Sequence, residues 1–446
     1  ELMIRGHNNQ DLFSLDIKRF EKFNSSINFI QKRATETLGN VFKIHWPYKQ
    51  LNTSRNIKLL PYHNKLKKLG ACFGQIAGYE RPMWFSKNQK PIYKYSYGYQ
   101  NWYKSAEKEC LNTRNNLSFF DLTPFVKFDV SGKNAHDQLQ YLCSNNVKNI
   151  QGKTTYTQML NQSGGIEADV TISCLKENFF RVICPAFARN HNKSHILKNI
   201  NKEIVFKDVT DKFSCIGIFG PNSREFLTRL FGDCFSREQF PFARGKYLNI
   251  SKTKIWFQRL SFVGELGWEI YIPIKKSKEI FNKIYVAGKK FRLGYAGMHT
   301  LDILRLEKKF LHWGHDITSE TNPIEAGLSF AINLKNKNNF IGRKAIENII
   351  NKKLFKRQLD LFSLKNKFKP GKPLLLHDEP IYSKNKLVGH TTSSNYSFCY
   401  KKNICLAYVQ NDIEKNKLYI EVEGKKYPLK IEKKPLHDPS SILIRN

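Results

Sequence analysis

Two strand pairs, each folded about glycines, constrain this 446-residue chain more than any other feature. In the first, residues 155–160 and 170–174 alternate as strands around the Gly164-Gly165 turn. In the second, residues 255–260 and 268–272 flank Gly264 and Gly267. Helical spacing fills the intervals, over 103–115, 135–143, 277–291 and 299–309, and a further strand is expected over 125–130. Antiparallel strand pairs mixed with helices predict an α+β fold. Beyond about residue 352 helical patterning stops. Segments 357–362, 380–382, 386–392, 404–409, 418–422 and 427–432 are strand-like, and Glu423-Gly424-Lys425 turns between the last two. That pattern predicts a small all-β domain, a barrel.

Ahead of the strand pairs, residues 1–85 are polar, with a helical stretch near 23–38, and close on Gly78-Tyr-Glu-Arg-Pro-Met-Trp-Phe85. Residues 86–100, rich in Tyr, Lys and Pro, read as a linker. The expected division is therefore 1–85, 86–350 and 351–446. The chain opens on Glu1 in mid-pattern, with no signal or transit peptide in view, as expected of a fragment or of a chain whose leader has been removed. It contains no G-x-G-x-x-G opening a βαβ unit, no G-x-x-x-x-G-K-[ST], no G-x-S-x-G and no H-E-x-x-H. A complete nucleotide- or flavin-binding Rossmann domain is not expected in these residues.

Composition narrows the partners. Hydrophobic residues make up 41% and aromatics 13%, so the chain is globular, and no run of eighteen uncharged apolar residues could span a membrane. The formal charge of +36 admits two readings: a basic face for an anionic partner, or lysine drift along the whole chain. The lysines are spread and not gathered into one arm, and no nucleic-acid fold motif accompanies them, so nucleic acid is not an expected partner. A basic channel would equally suit a polyglutamyl tail. Nine scattered cysteines, without CxxC pairs or zinc spacing, suit reduced thiols in a core and no metal.

Two segments carry chemistry. In Tyr156-Thr-Gln-Met-Leu-Asn-Gln-Ser-Gly-Gly-Ile-Glu-Ala-Asp169, the glycines allow a tight turn and Asp169 heads an apolar strand. A carboxylate desolvated there can accept a proton or stabilise a cation. It can equally close the hairpin through backbone hydrogen bonds. In Arg259-Leu-Ser-Phe-Val-Gly-Glu-Leu-Gly-Trp-Glu269, Glu265 and Glu269 lie beside Phe262, Trp268 and Tyr271. A carboxylate is a natural partner for a ring presenting adjacent N–H donors, with aromatics on its faces. The alternative is a surface hairpin with core aromatics.

These segments closely resemble the glycine-cleavage T-protein (aminomethyltransferase) family. The likeness is greater still to its version fused behind a flavin oxidase domain, as in sarcosine and dimethylglycine dehydrogenases and the regulatory subunit of pyruvate dehydrogenase phosphatase. Ordered landmarks carry the resemblance: Phe120-Asp-Leu-Thr-Pro-Phe-Val-Lys-Phe128, Phe219-Gly-Pro-Asn-Ser-Arg224, Leu304-Arg-Leu-Glu-Lys-Lys-Phe310, Asn322-Pro-Ile-Glu-Ala-Gly-Leu328, Phe340-Ile-Gly-Arg343 and Leu387-Val-Gly-His-Thr-Thr-Ser-Ser394. The stretches 11–20 and 78–85 are similar to the close of the flavin domain. The resemblance thus implies a flavin-domain remnant over 1–85, a folate-binding domain of antiparallel sheets with helices over 86–350, and a β-barrel over 351–446.

The same resemblance implies one-carbon transfer from an oxidised N-methyl glycine, sarcosine or dimethylglycine, to tetrahydrofolate, giving 5,10-methylenetetrahydrofolate. It implies Asp169 as the catalytic group, and Tyr156, Glu269, Phe262, Arg305 and Trp313 around the cofactor. Glu269 would hold the pterin ring. Phe262 stands where many T-proteins have Tyr, and Leu301 where they often have Arg. Trp313 serves as well as a core aromatic. FAD and an electron-transfer flavoprotein would belong to the intact enzyme, in the mitochondrial matrix. The alternative is a non-catalytic regulatory subunit of pyruvate dehydrogenase phosphatase built on the same fold.

Overall fold

The computed structural model describes residues 11–86, 89–335 and 339–446. Residues 1–10 of the expected flavin-domain remnant, 87–88 of the linker and 336–338 lie outside them.

Strand alternation decides how the body packs. Val126, Phe128 and Val130 of Val126–Ser131 are buried on one face, beside Val170, Ile172, Phe180 and Val182. Leu139, Leu142 and Ile196, from helices Ala135–Leu142 and Arg189–Asn199, cover them. This antiparallel sheet has five strands, in the order Thr154–Leu160, Ile166–Lys176, Phe179–Cys184, Val126–Ser131, Val205–Asp208. A second sheet has six, in the order Gly245–Ile250, Thr253–Gln258, Gly267–Pro273, Phe213–Phe219, Ser118–Asp121, Gly294–Ala296, with only the last pair parallel. Its outer face, including Ile216, Ile218, Ile255, Phe257, Ile270 and Ile272, packs on Phe226, Leu227, Ile280, Phe281 and Ile284 of two helices. Each such side chain taken from water contributes about 1.5–3 kcal/mol.

The remaining faces of the two sheets look towards each other. Period-2 geometry puts Tyr156, Gln158, Asp169, Ser173 and Arg181 on one of them, and Trp256, Gln258, Glu269 and Tyr271 on the other. Polar residues are thus gathered between two layers whose apolar faces are already satisfied by helices.

The C-terminal strands close into a barrel in the order Arg357–Leu364, Lys402–Gln410, Lys386–Ser397, Pro380–Ser383, Leu418–Val422, Lys425–Glu432. Helix Met298–Glu307 joins the barrel to the sheets. A buried ionic knot fixes that junction. Arg114 donates to Glu265 at 2.9 Å and to Glu307 at 2.8 Å, Ser397 donates to Glu307 at 2.7 Å, and His437 Nε2 lies 2.7 Å from Glu265.

Upstream, Ser26 caps helix Ile27–Asn40 by accepting from the Phe29 amide at 3.2 Å. The hairpin Ala71–Ile76 and Tyr79–Phe85 packs on helix Met298–Glu307. The resemblance marks out only its second strand. The expected linker has no helix or strand among its described residues, yet it is anchored: the Tyr93 hydroxyl lies 2.9 Å from His299 Nε2, and Tyr95 accepts from the Gln50 amide at 2.9 Å.

Candidate active site

The Gly164-Gly165 turn brings Asp169 opposite Gln158. Gly164 adopts φ +85°, and a Cβ on Gly165 would meet the Ser319 carbonyl oxygen at 1.7 Å, so the turn is pressed against backbone with no room for a side chain. Gln158 Nε2 donates to Asp169 Oδ1 at 2.9 Å, and the Tyr156 hydroxyl also hydrogen-bonds the carboxylate. Burial pushes the Asp169 pKa up to about 6, against the opposing pull of Gln158 and Tyr156. Its residue remains partly exposed. Gln158 Oε1 is buried without a hydrogen-bond partner.

Glu269 occupies the facing wall, in register with Gln258 and Gly217. The Tyr271 hydroxyl donates to its Oε2 at 2.6 Å, and Gln258 Nε2 points at the same oxygen from 3.5 Å. Burial raises its pKa, while Tyr271 and the charge of Lys127 oppose that shift. Gln258 Oε1 receives Trp256 Nε1 at 3.2 Å and the Ser173 hydroxyl, and Ser173 lies 3.0 Å from the Thr154 hydroxyl. A polar chain therefore ties the Asp169 strand to the Glu269 strand. Asp169 and Ser173 share one strand face and stand about 13 Å apart along it. The inward faces thus carry two polar groups of residues set well apart along the strands.

The other expected site residues make no contact with this pair. Arg305 is buried and fully engaged: Nε donates to Asp302 at 2.8 Å, Nη1 to Asp316 at 2.6 Å and to the Phe310 carbonyl at 3.0 Å, and Nη2 to Ser393 at 2.8 Å. It braces the helix against the barrel. Trp313 donates to the Ile166 carbonyl at 2.8 Å and packs between Phe13 and Phe187, behind the first hairpin. Phe262 is partly buried and stacks on Phe310 at 5.9 Å.

Sequence reasoning passes over Gln158, Gln258, Tyr271 as a hydrogen-bond donor, and Lys127. Lys127 Nζ is buried, donates to the Thr123 and Phe125 carbonyls at 2.7 and 2.8 Å, and has its pKa lowered by burial to about 8. Alternation with Val126 and Phe128 marks its face, but only the second sheet shows that this face points inward.

Known proteins share this architecture. Residues 62–336 match the family model described as the GCVT N-terminal domain, and 357–438 the glycine cleavage T-protein C-terminal barrel domain. The chain belongs to the glycine-cleavage T-protein family. Residues 5–59 also match the FAD dependent oxidoreductase central domain. It is 33% identical to 4-methylaminobutanoate oxidase (formaldehyde-forming) of Paenarthrobacter nicotinovorans, over 100% of this chain and 54% of that protein. It is 30% identical to mitochondrial dimethylglycine dehydrogenase of Mus musculus, over 96% of this chain and 49% of that protein. The chain spans about half the length of these curated relatives. The crystal structure of aminomethyltransferase T from Bartonella henselae shares the fold with a TM-score of 0.74 at 22% identity, covering 86% of this chain and 99% of that one.

Proposed function

We propose that this chain is the folate-side portion of a flavin-linked oxidoreductase of N-methylated amino acids, and that it passes the released one-carbon unit to tetrahydrofolate, giving 5,10-methylenetetrahydrofolate. One observation carries this reading. Asp169 and Glu269 stand on the facing polar faces of the two sheets, both with raised pKa values, and the hydrogen bonds to Glu269 converge on Oε2, leaving Oε1 for a ligand. These acceptors suit the N–H groups of a pterin ring at one end and a reacting amine at the other.

Tetrahydrofolate supplies the nucleophilic nitrogens that take up the carbon. Glu269, held by Tyr271, accepts from ring N–H groups and fixes the ring's orientation. Asp169, held by Gln158 and Tyr156, takes a proton or balances positive charge at the reacting nitrogen. Tyr156 and Phe262 contribute apolar surface near the ligand, while Arg305 and Trp313 brace the walls.

The donor class follows the relatives: sarcosine, dimethylglycine or a longer methylamino acid. FAD belongs to upstream residues, with electron-transfer flavoprotein and the mitochondrial matrix as the setting that the dehydrogenase relatives suggest. The segment 12–44 supports an upstream partner domain, since Leu15, Ile17, Ile27, Leu38 and Phe42 are 70–100% exposed.

Titration of the chain with tetrahydrofolate, followed by tryptophan fluorescence, tests this reading. Saturable binding is expected, weakened at least about tenfold in Glu269→Ala. A wild-type chain that fails to saturate would overturn the folate reading and leave the regulatory-subunit alternative in its place.

A further inference from the structure

The two strand pairs that carry Asp169 and Glu269 repeat one arrangement. On each, a glutamine stands directly opposite the carboxylate and eleven residues before it: Gln158 opposite Asp169, and Gln258 opposite Glu269. Both glutamines are buried, and both turn Nε2 to the carboxylate, at 2.9 Å in the first pair and 3.5 Å in the second. Two residues before each, on the same strand face, stands an aromatic side chain with a polar tip, Tyr156 or Trp256.

The two amides differ at their other end. Gln258 Oε1 receives Trp256 Nε1 at 3.2 Å and the Ser173 hydroxyl. An indole N–H can only donate, so it settles which end of that amide is oxygen. Turning the amide over would set N–H against N–H and oxygen against the Glu269 carboxylate. Gln158 Oε1, by contrast, is buried, and no group among the described residues donates to it. Tyr156, the counterpart of Trp256, bonds Asp169 instead. The Gln158 amide touches Asp169 and the Tyr156 hydroxyl, and that hydroxyl can donate or accept. Turned over, the amide presents Oε1 to a protonated Asp169 and gives up no third partner. No ionised side chain intrudes on this contact: Glu167, two residues before Asp169, is committed to His191 at 2.9 Å. Glu269 faces Tyr271, Cys215 and Lys127.

We propose that Gln158 is a reversible positioning residue: it donates Nε2 to Asp169 while the carboxylate is ionised, and turns over to accept from the Asp169 hydroxyl through Oε1 once a proton has been taken up. Gln258 is its fixed counterpart and holds Glu269 as a standing acceptor. This rests on the reading in which Asp169 exchanges a proton with the ligand and Glu269 holds the ring. The proton passes between the ligand nitrogen and Asp169 alone, and no covalent bond of Gln158 is made or broken. One carboxylate is thereby supported in both of its states and the other in one, which separates proton exchange from binding.

The experiment follows the carboxyl groups by nuclear magnetic resonance in the whole chain, labelled at aspartate and glutamate, with calorimetric titration of tetrahydrofolate across pH. In Gln158→Met both forms of Asp169 lose a partner, so its titration midpoint should stay within about 0.3 of the wild-type pH. A fixed donor would support the ionised form alone, and its loss would raise that midpoint by about one pH unit. In Gln258→Met only ionised Glu269 loses a donor. Its midpoint, and with it the acid limb of tetrahydrofolate binding, should rise by at least about half a pH unit. A rise at Asp169 in Gln158→Met, or no rise at Glu269 in Gln258→Met, overturns the proposal. Melting curves show whether the variants fold. If either does not, the wild type decides through nuclear Overhauser contacts: those from the Gln158 amide protons to Asp169 should be present at about pH 8 and gone at about pH 4.5, while those from Gln258 to Glu269 persist at both. Gln158 contacts that persist at the lower pH, or Gln258 contacts that vanish there, overturn it equally. A wild type that binds no tetrahydrofolate removes the folate reading, while the two midpoints still decide the glutamines.

Discussion

At neutral pH the Asp169 carboxylate works against the fold that holds it. Its pKa stands at about 6, above the ordinary 3.8, so the folded state binds protons more readily than the unfolded chain. Stability therefore falls as pH rises from about 4 to about 6 and levels off above that. Asp169→Asn should melt higher than wild type at pH 7.5, by about 1–2 kcal/mol once solvent reaching this partly exposed group is allowed for, and should match it near pH 4. One-carbon transfer should show the reverse trend, declining below an apparent pKa near 6, and the variant should be slower by about 10²–10⁴-fold at pH 7.5 with a deficit that narrows towards pH 4, tetrahydrofolate affinity being largely kept. Melting curves across pH, with transfer rates on the same protein, check both. An Asn variant that is less stable at pH 7.5 would show that the hydrogen bonds to Asp169 matter more than its desolvation.

The first hairpin is the element that aims this carboxylate. Its turn tolerates no Cβ, because Gly165 abuts the Ser319 carbonyl and Asn161 Nδ2. Gly165→Ala should cost about 1–3 kcal/mol by overpacking and shift Asp169 from Gln158, lowering transfer more than tetrahydrofolate binding. Denaturant melts and a single-turnover assay separate the two effects. Much at this scale is legible in the amino-acid sequence. Alternation around Gly164-Gly165 marks both strands, and the loss of helical spacing after 352 marks the barrel. Strand partners across the sheets are not legible there. Gln158 meets Asp169 because residues on the two arms of one turn share register, but Ser173 meets Gln258 only because two sheets stack, and period-2 patterning does not say which polar face is turned inward. Asp169 and Glu269 become candidates through ordered resemblance, since each has a bland role that spacing alone cannot dismiss.

Across the molecule, one cation joins parts of the chain that sequence keeps far apart. Arg114 holds Glu265 and Glu307, 151 and 193 residues away, in a place from which water is almost excluded. Bridges of that span close large loops, so they form after local hairpins and helices are in place. The knot is therefore a late kinetic event: it governs how slowly the native state opens more than how quickly it is reached. Arg114→Met leaves two buried carboxylates without their cation, at a cost of about 3–5 kcal/mol. Nearly all of that should appear as unfolding faster by roughly 10²–10⁴-fold, with refolding little changed. Stopped-flow measurements in both directions decide it, and a variant that refolds slowly but unfolds at the wild-type rate would place the knot in the folding nucleus instead. A protein clasped in this way owes its lifetime to a few long-range charges, and its persistence under proteolysis or heat should track that clasp more closely than the size of its apolar core.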